Sequence, residues 1–217
     1  MIVGIDTSLG TAVAAVGDGG TVLAERASPN PLGHAEVIGD LLRDVLAEAA
    51  VAPSGGSAVV THVASGMGPG PFTGLRVGIA AARAFALGRG VPVIAVPSHD
   101  AAALGILRAD PRAPSERFAV VTDARRREEA YTVYAGLDDD GLPVRVADAA
   151  LAPRADLDAV LARAGAARRD VTAVSAAMLA AAAARAIAAG RTLTGPEPLY
   201  LRAPDVSLPS ARKKVGT

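Results

Sequence analysis

One pattern, met twice, constrains this chain more than any other. A short apolar strand ends in an aspartate, a polar tip follows, and a second apolar strand returns. Met1 to Ile5 runs into Asp6, with Thr7, Ser8 and Gly10 at the tip and Thr11 to Val16 coming back. Phe118 to Thr122 runs into Asp123, with a tip over Ala124 to Glu129 and Ala130 to Ala135 coming back. Each reads as a β-hairpin. A D-G-G turn within Gly17 to Gly20 and an apolar stretch from Thr21 to Ala27 extend the first hairpin into an antiparallel three-stranded start. Between the two copies, A-D-P-R-A-P-S-E at 109–116 breaks all periodicity and marks a lobe boundary. The expected division is a first lobe over 1–108, a second over 109–195 and a tail over 196–217. At 217 residues and 51% hydrophobic content, the chain can bury the core that one large or two small domains need.

Helices separate the strands. His34 to Ala50 puts Val37, Leu41, Leu42, Val45 and Leu46 on one side and Glu36, Asp40, Arg43, Asp44 and Glu48 on the other, an amphipathic pattern. Gly74 to Arg89 repeats it with Leu75, Ile79, Ala82, Phe85 and Ala86. There Gly78, Ala80, Ala81 and Ala84 leave the rest of the surface small, which favours close approach of a second helix, in this chain or in a partner. Ala58 to Ala64 and Val91 to Val96 read as strands, and Ser98 as the cap of a further helix. The second lobe continues with a D-D-D-G turn at 138–141, a strand over Leu142 to Val146 and a helix from Asp156 to Ala164. A strand near Val171 to Ser175 and an alanine-rich helix through Ala189 complete it. The tail is expected to pack back over 198–202, with its basic remainder disordered.

Between the strand at 58–64 and the helix at 74–89 lies the segment S-G-M-G-P-G-P-F-T-G-L-R-V-G, residues 65–78. Its glycines permit positive φ and close backbone approach, Pro69 and Pro71 stiffen the path, and Thr73 reads as a helix N-cap. A rigid helix N-terminus of this kind suits a phosphate or carboxylate. Asp6, Thr7, Gly68, Gly70, Thr73 and Gly74 are the phosphate- or nucleotide-like candidates. The loop is equally readable as a tight strand-to-helix turn, and Asp6 and Asp123 either hold a hard metal or bond to their own turn amides. A P-loop is excluded, because the segment has no lysine and the only lysines are Lys213 and Lys214. The dinucleotide fingerprint fails too, since its third glycine position is Thr73 and no acidic residue follows at the required distance of about 20 residues.

Several chemistries lack their residues. There is no cysteine, so disulfides, thiolate nucleophiles and cysteine-ligated metals are out, which suits a cytoplasmic protein. No G-x-S-x-G elbow occurs. The start M-I-V-G-I-D has no basic leader, and the apolar runs break before about 18 residues, so no targeting segment or membrane anchor is expected. With 22 basic and 22 acidic residues, no global charge draws the chain to nucleic acid. Contact with RNA would have to be local, through Arg125 to Arg127 and Arg212 to Lys214.

I-D-T-S at 5–8, H-A-E at 34–36, G-P-G-P-F-T-G-L-R-V-G at 68–78, D-A-R-R at 123–126 and P-L-Y-L-R at 198–202 follow one another along nearly the whole chain. In that set and order they resemble the TsaB (YeaZ) family. The resemblance implies an α/β, actin-like and sugar-kinase-like ATPase fold of two ribonuclease H-like lobes, with mixed sheets flanked by helices. It also implies a part in forming N6-threonylcarbamoyladenosine in tRNA next to the anticodon, as partner of the catalytic paralogue TsaD. That paralogue binds its metal through an H-x-x-x-H pair. Here His34, His62 and His99 are followed four residues later by Ile38, Gly66 and Ala103, so the pair is absent, although His99 stands about where it is expected. A sugar kinase would carry a glycine turn in the second hairpin, whose tip is instead Ala124, Arg125, Arg126, Arg127, Glu128, Glu129. The expectation is a scaffold and activator with no catalytic or metal residues and no required cofactor, ATP or ADP being confined to the complex interface. Its helices would form a bundle with those of TsaD through Val37, Leu41, Val45, Arg76, Gly78, Ala81 and Phe85. The ATPase TsaE would complete a ternary complex, the same patch would form a homodimer in isolation, and tRNA would be met through the complex. The competing expectation is a stand-alone actin-fold ATPase or phosphotransferase using Asp6, Thr7 and the 68–74 loop.

Overall fold

The structure is a computed structural model that describes residues 1–30, 33–52, 59–109 and 116–202. Two five-stranded sheets organise it. In the first, β1 (Ile2–Asp6), β2 (Thr11–Val16) and β3 (Val22–Ser28) form an antiparallel meander, and β4 (His62–Gly66) and β5 (Val93–Val96) add in parallel on the other side of β1. The strand order is β3-β2-β1-β4-β5. The second sheet is built on β6 (Phe118–Asp123) and β7 (Glu128–Leu137), paired antiparallel so that Asp123 faces Glu129. Its remaining strands are β8 (Pro143–Arg145), β9 (Ala150–Pro153) and β10 (Ala167–Asp170). β7 pairs antiparallel with both β8 and β9, and β10 lies parallel to β6.

The helices α1 (His34–Ala50) and α2 (Phe72–Arg89) cover one face of the first sheet, where Val3, Val13, Val45, Val63 and Ala82 close a core. Burying each of these valines contributes about 1.5–3 kcal/mol. The opposite face takes α5 (Ala176–Ala188), which packs in turn on α3 (Ser98–Ala109). The other side of α3 meets the second sheet through Ala103, Leu107, Phe118 and Tyr134. The layer of α3 and α5 therefore lies between the sheets, while α4 (Leu157–Ala164) closes the outer face of the second. Alanine decides the position of α5. A side chain at Gly4 on β1 would collide with the Ala176 carbonyl, so glycine against alanine lets helix and sheet approach this closely. Ser175 caps α5 by accepting from the Met178 N–H at 3.2 Å, and Glu25 on β3 accepts from Ser175 Oγ at 2.8 Å and from the Ala177 N–H at 3.1 Å.

Several expectations are corrected. The strand expected near Val171 to Ser175 lies earlier, at β10, an edge strand of sequence A-R-R-D whose polar side chains hide it. β9 was not anticipated at all. β4 starts at His62 rather than Ala58, which lies outside the described residues, and it runs through Ser65 and Gly66. α2 begins at Phe72 with Pro71 as N-cap, so Thr73 sits inside the first turn and caps nothing. Ser98 is the first residue of α3, and its hydroxyl is spent on Asp6 and Gly68. The boundary expected at 109–116 and the basic tail fall almost wholly outside the described residues.

Candidate functional site

The end of β1 is sealed rather than open. Asp6 is 2% exposed. Its Oδ1 accepts from the Ser8 N–H at 2.8 Å and Ser8 Oγ at 2.5 Å, and its Oδ2 accepts from Ser98 Oγ at 2.5 Å. Any side chain at Gly66 would overlap Asp6 Oδ2, so the carboxylate is roofed by glycine backbone. Burial pushes the Asp6 carboxyl up, against the lowering effect of Ser8, Ser98 and His34. Of the two roles open to Asp6, the geometry supplies the turn-bonding one.

Thr7 is equally engaged. Its Oγ1 donates to the Gly74 carbonyl at 2.8 Å and occupies the space a side chain at Gly78 would need. Gly70 stands against Ser8, whose Cα would be 2.8 Å from an added Cβ. Gly68, at φ 93°, receives the Ser98 N–H at 2.7 Å and gives its own N–H to Ser98 Oγ at 3.0 Å. The glycines thus let three segments interlock: the β1–β2 turn, the start of α2 and the start of α3. Sequence reasoning identified them but assigned their closeness to a ligand.

Beyond this knot lies a cleft of about 590 Å³. One wall is the first turn of α2 with His34, another is the β6–β7 tip with Thr122, Asp123, Arg125 and Arg126, and Tyr200, Leu201 and Arg202 form a third. Arg125, Arg126 and Arg127 all have positive φ, at 62°, 53° and 62°. Non-glycine residues pay about 1–2 kcal/mol each for that region. Bonds from the Ala124 N–H to the Glu128 carbonyl, the Glu128 N–H to the Arg125 carbonyl and the Arg154 N–H to the Arg127 carbonyl hold the tip. The 196–202 segment straps the cleft. Leu199 N–H donates to the Met67 carbonyl at 2.8 Å, Tyr200 lies 4.8 Å from Phe72 ring to ring and accepts from Arg76 Nε at 3.0 Å, and Arg202 pairs with Glu128. The part played by His34, Tyr200 and Arg202 at the cleft was not read from sequence, because each is far from the glycine loop along the chain.

A smaller cavity of about 310 Å³ lies on the far side of the strap. There Asp100 Oδ1 accepts from Tyr134 OH at 2.8 Å and pairs with Arg145 Nε at 3.1 Å. Burial raises the Asp100 carboxyl to about 6 despite Arg145 and Tyr134. Next to it, His99 has Nδ1 at 2.8 Å from Thr132 Oγ1 and Nε2 at 3.0 Å from Thr122 Oγ1. Burial pushes this imidazole down to about 3. Both ring nitrogens are therefore spent on threonine hydroxyls. Among the described residues, no group of three or more His, Asp or Glu side chains is placed to hold a metal ion.

The residues expected at a partner interface divide. Val37 and Leu41 on α1, and Ala81 and Phe85 on α2, are half-buried, and Leu41, Ala81 and Phe85 pack against the first-sheet core while keeping part of their surface exposed. Arg76 is exposed, with its guanidinium 3.6 Å from the centre of the Phe72 ring. Val45 and Gly78 do not belong to that surface. Val45 is wholly buried in the first-sheet core, and Gly78 faces Thr7 inside the chain. The helical period that made α1 amphipathic points Val45 inward, and the small residue at 78 serves an internal contact.

Two mixed sheets whose leading hairpins face one cleft, with a helical layer between them, make this an α/β protein of the actin-like class. Comparison with known proteins agrees. The family model described as TsaD: tRNA N6-adenosine threonylcarbamoyltransferase matches residues 21–156. An uncharacterized protein of Mycobacterium tuberculosis is 39% identical over 63% of this chain and 56% of its own length. The tRNA threonylcarbamoyladenosine biosynthesis protein TsaB of Escherichia coli is 31% identical over 65% of this chain and 57% of its own. YeaZ from Pseudomonas aeruginosa superposes with a TM-score of 0.69 at 25% identity, over 92% of this chain and 99% of that one. A second Pseudomonas aeruginosa structure, described as similar to peptidase YEAZ, gives 0.72 at 27% identity, over 93% and 99%. The chain belongs to the TsaD-type family and is YeaZ/TsaB-like. It spans about half the length of the curated relatives it matches.

Proposed function

We propose that this chain is a non-catalytic subunit that pairs with a TsaD-type paralogue in forming N6-threonylcarbamoyladenosine in tRNA, acting as scaffold and activator. The carrying observation is His99. It stands about where the paralogue's metal pair is expected, and both of its nitrogens are occupied by Thr122 and Thr132. The pairing surface is the outer side of α1 and α2, where Val37, Leu41, Ala81 and Phe85 leave partly buried apolar surface at a helix pair. Helices of the partner packing there make a four-helix arrangement, which 3-4 ridge packing accommodates. Activation follows only if the chain binds the active state of the paralogue more tightly than the inactive one. A TsaE-type ATPase joins the pair, with ATP or ADP at the complex interface, tRNA is met through the complex, and in isolation the same face forms a homodimer.

Reconstitution tests this. The paralogue alone should leave tRNA unmodified, and addition of this chain should restore modification together with a complex of summed mass. Full activity from the paralogue alone would sink the reading. Turnover of ATP by this chain in isolation, lost in Asp6→Ala, would instead favour the stand-alone phosphotransferase; the engagement of both Asp6 oxygens weighs against it.

A further inference from the structure

One carboxylate oxygen is held in the interior with nothing to accept from. Asp100, in the first turn of α3, is 3% exposed, and its Oδ1 takes both Tyr134 OH at 2.8 Å and Arg145 Nε at 3.1 Å. No described residue donates to Oδ2. The buried side-chain polar atoms without a partner are Ser65 Oγ and Glu129 Oε2, so Asp100 Oδ2 is not sealed and opens onto the cavity of about 310 Å³ that Asp100 lines. Tyr200 and Leu201 of the strap line both this cavity and the larger cleft, and stand between them.

Arg145 lines the same cavity. Its Nη2 donates to the Leu193 carbonyl at 2.7 Å, while Nη1 has only an ion pair with Asp148 at 3.7 Å, too long for a hydrogen bond. The Asp148 side chain is 97% exposed, so solvent screens that pair and an incoming carboxylate can replace it. A free carboxylate oxygen and free guanidinium N–H groups thus sit on the two partners of one ion pair. Burial raises the Asp100 carboxyl only to about 6, so it is ionised at neutral pH, and the adjacent His99 is neutral there. The charges of Asp100 and Arg145 cancel, which disfavours a lone cation or a lone anion. A ligand carrying both charges one carbon apart satisfies both groups through charge-assisted hydrogen bonds. Pro69, Pro97, Leu199 and Leu201 supply apolar wall for the rest of it. The volume stands at the low end of the range of about 300–1,000 Å³ for ligand pockets, which limits the occupant to a small molecule.

We propose that this cavity binds a free α-amino acid with an aliphatic side chain, its ammonium group on Asp100 Oδ2 and its carboxylate on Arg145 Nη1. Leu199 and Leu201 belong to the strap, so the bound side chain packs against the strap and holds it in place. This goes beyond the partner-subunit reading and is tested on the chain alone, whether or not that reading holds.

The test is a titration of the full ¹⁵N-labelled chain with L-valine, isobutylamine and 3-methylbutanoate, the last two being valine without its carboxylate and without its ammonium group. Valine should give saturable shifts at the backbone amides of Asp100 and Leu199 and at Arg145 Nε, and should slow hydrogen exchange over 196–202. Each truncated compound should bind at least tenfold more weakly. Asp100→Asn keeps the shape of the side chain but turns the free acceptor into an amide, and should weaken valine binding at least tenfold. Arg145→Gln should do the same, and it decides the matter if Asp100→Asn fails to fold. Asp148→Asn should bind valine as tightly or more tightly, because it removes a competitor for Nη1. A non-saturating response, or full affinity in Asp100→Asn or Arg145→Gln, overturns the proposal. So does isobutylamine or 3-methylbutanoate binding as tightly as valine, which would make this a site for a simple cation or anion, and so does weaker binding in Asp148→Asn.

Discussion

At the scale of single residues, the buried carboxyls and the buried imidazole set the acid response. Asp100 is raised from 3.8 to about 6, so between those values the folded chain holds a proton the unfolded chain has released. Its contribution to stability is therefore lost as pH rises through that window, up to about 1.4 kcal/mol per pH unit. Asp6 acts in the same direction. His99 is lowered from 6.5 to about 3, so there the unfolded chain holds the extra proton and stability rises with pH. The slopes oppose each other over the range they share. Urea denaturation between pH 4 and about 6 should show a steeper rise of stability with pH in Asp100→Asn than in the natural chain, and a fall with pH in His99→Asn. Unchanged slopes would mean these groups titrate as in the unfolded chain. Gly66→Ala forces a methyl onto the Asp6 carboxylate and should cost about 2–4 kcal/mol in the same measurement. None of this was legible along the chain. I-D-T-S announces an aspartate at a turn, and only the packing of Gly66 and Ser98 against it shows which way it points.

At the scale of elements, α1 was legible to its ends because its apolar residues recur at helical spacing over 17 residues. β10 was not, because an edge strand needs pairing on one side only and A-R-R-D carries no alternation. Small residues on α2 misled in a specific way. Their size announces close approach and does not say to what, and Gly78 approaches Thr7. Gly78→Val should therefore lower stability by several kcal/mol with or without a partner. Leu41→Arg and Ala81→Arg place a charge on the outer face of the helix pair. Both residues also pack partly against the first-sheet core, so the melting midpoint should fall somewhat, and pairing with the TsaD-type paralogue should weaken by thirtyfold or more beyond that loss, the scale of an interface hot spot of about 2 kcal/mol. Calorimetric titration checks this, and undiminished affinity would move the interface elsewhere.

At the scale of the whole molecule, the strap at 196–202 joins the β4–α2 loop and α2 to the second hairpin. Arg202 and Glu128 are each partly exposed, so Arg202→Ala should change global stability by less than about 1 kcal/mol. Hydrogen exchange over 196–202 should rise markedly in Tyr200→Ala, which removes the contacts to Phe72 and Arg76. Protection unchanged in that variant would place the anchor at Leu199 and Met67. The division into two hairpin-led sheets was determined by the sequence itself, because strand alternation and turn chemistry are local and were written twice. The layer of α3 and α5 between the sheets, the sealing of Asp6 and the inward turn of Gly78 were decided by tertiary structure alone. Each depends on residues dozens of positions apart coming within a few ångströms, and periodicity along a chain carries no record of that distance.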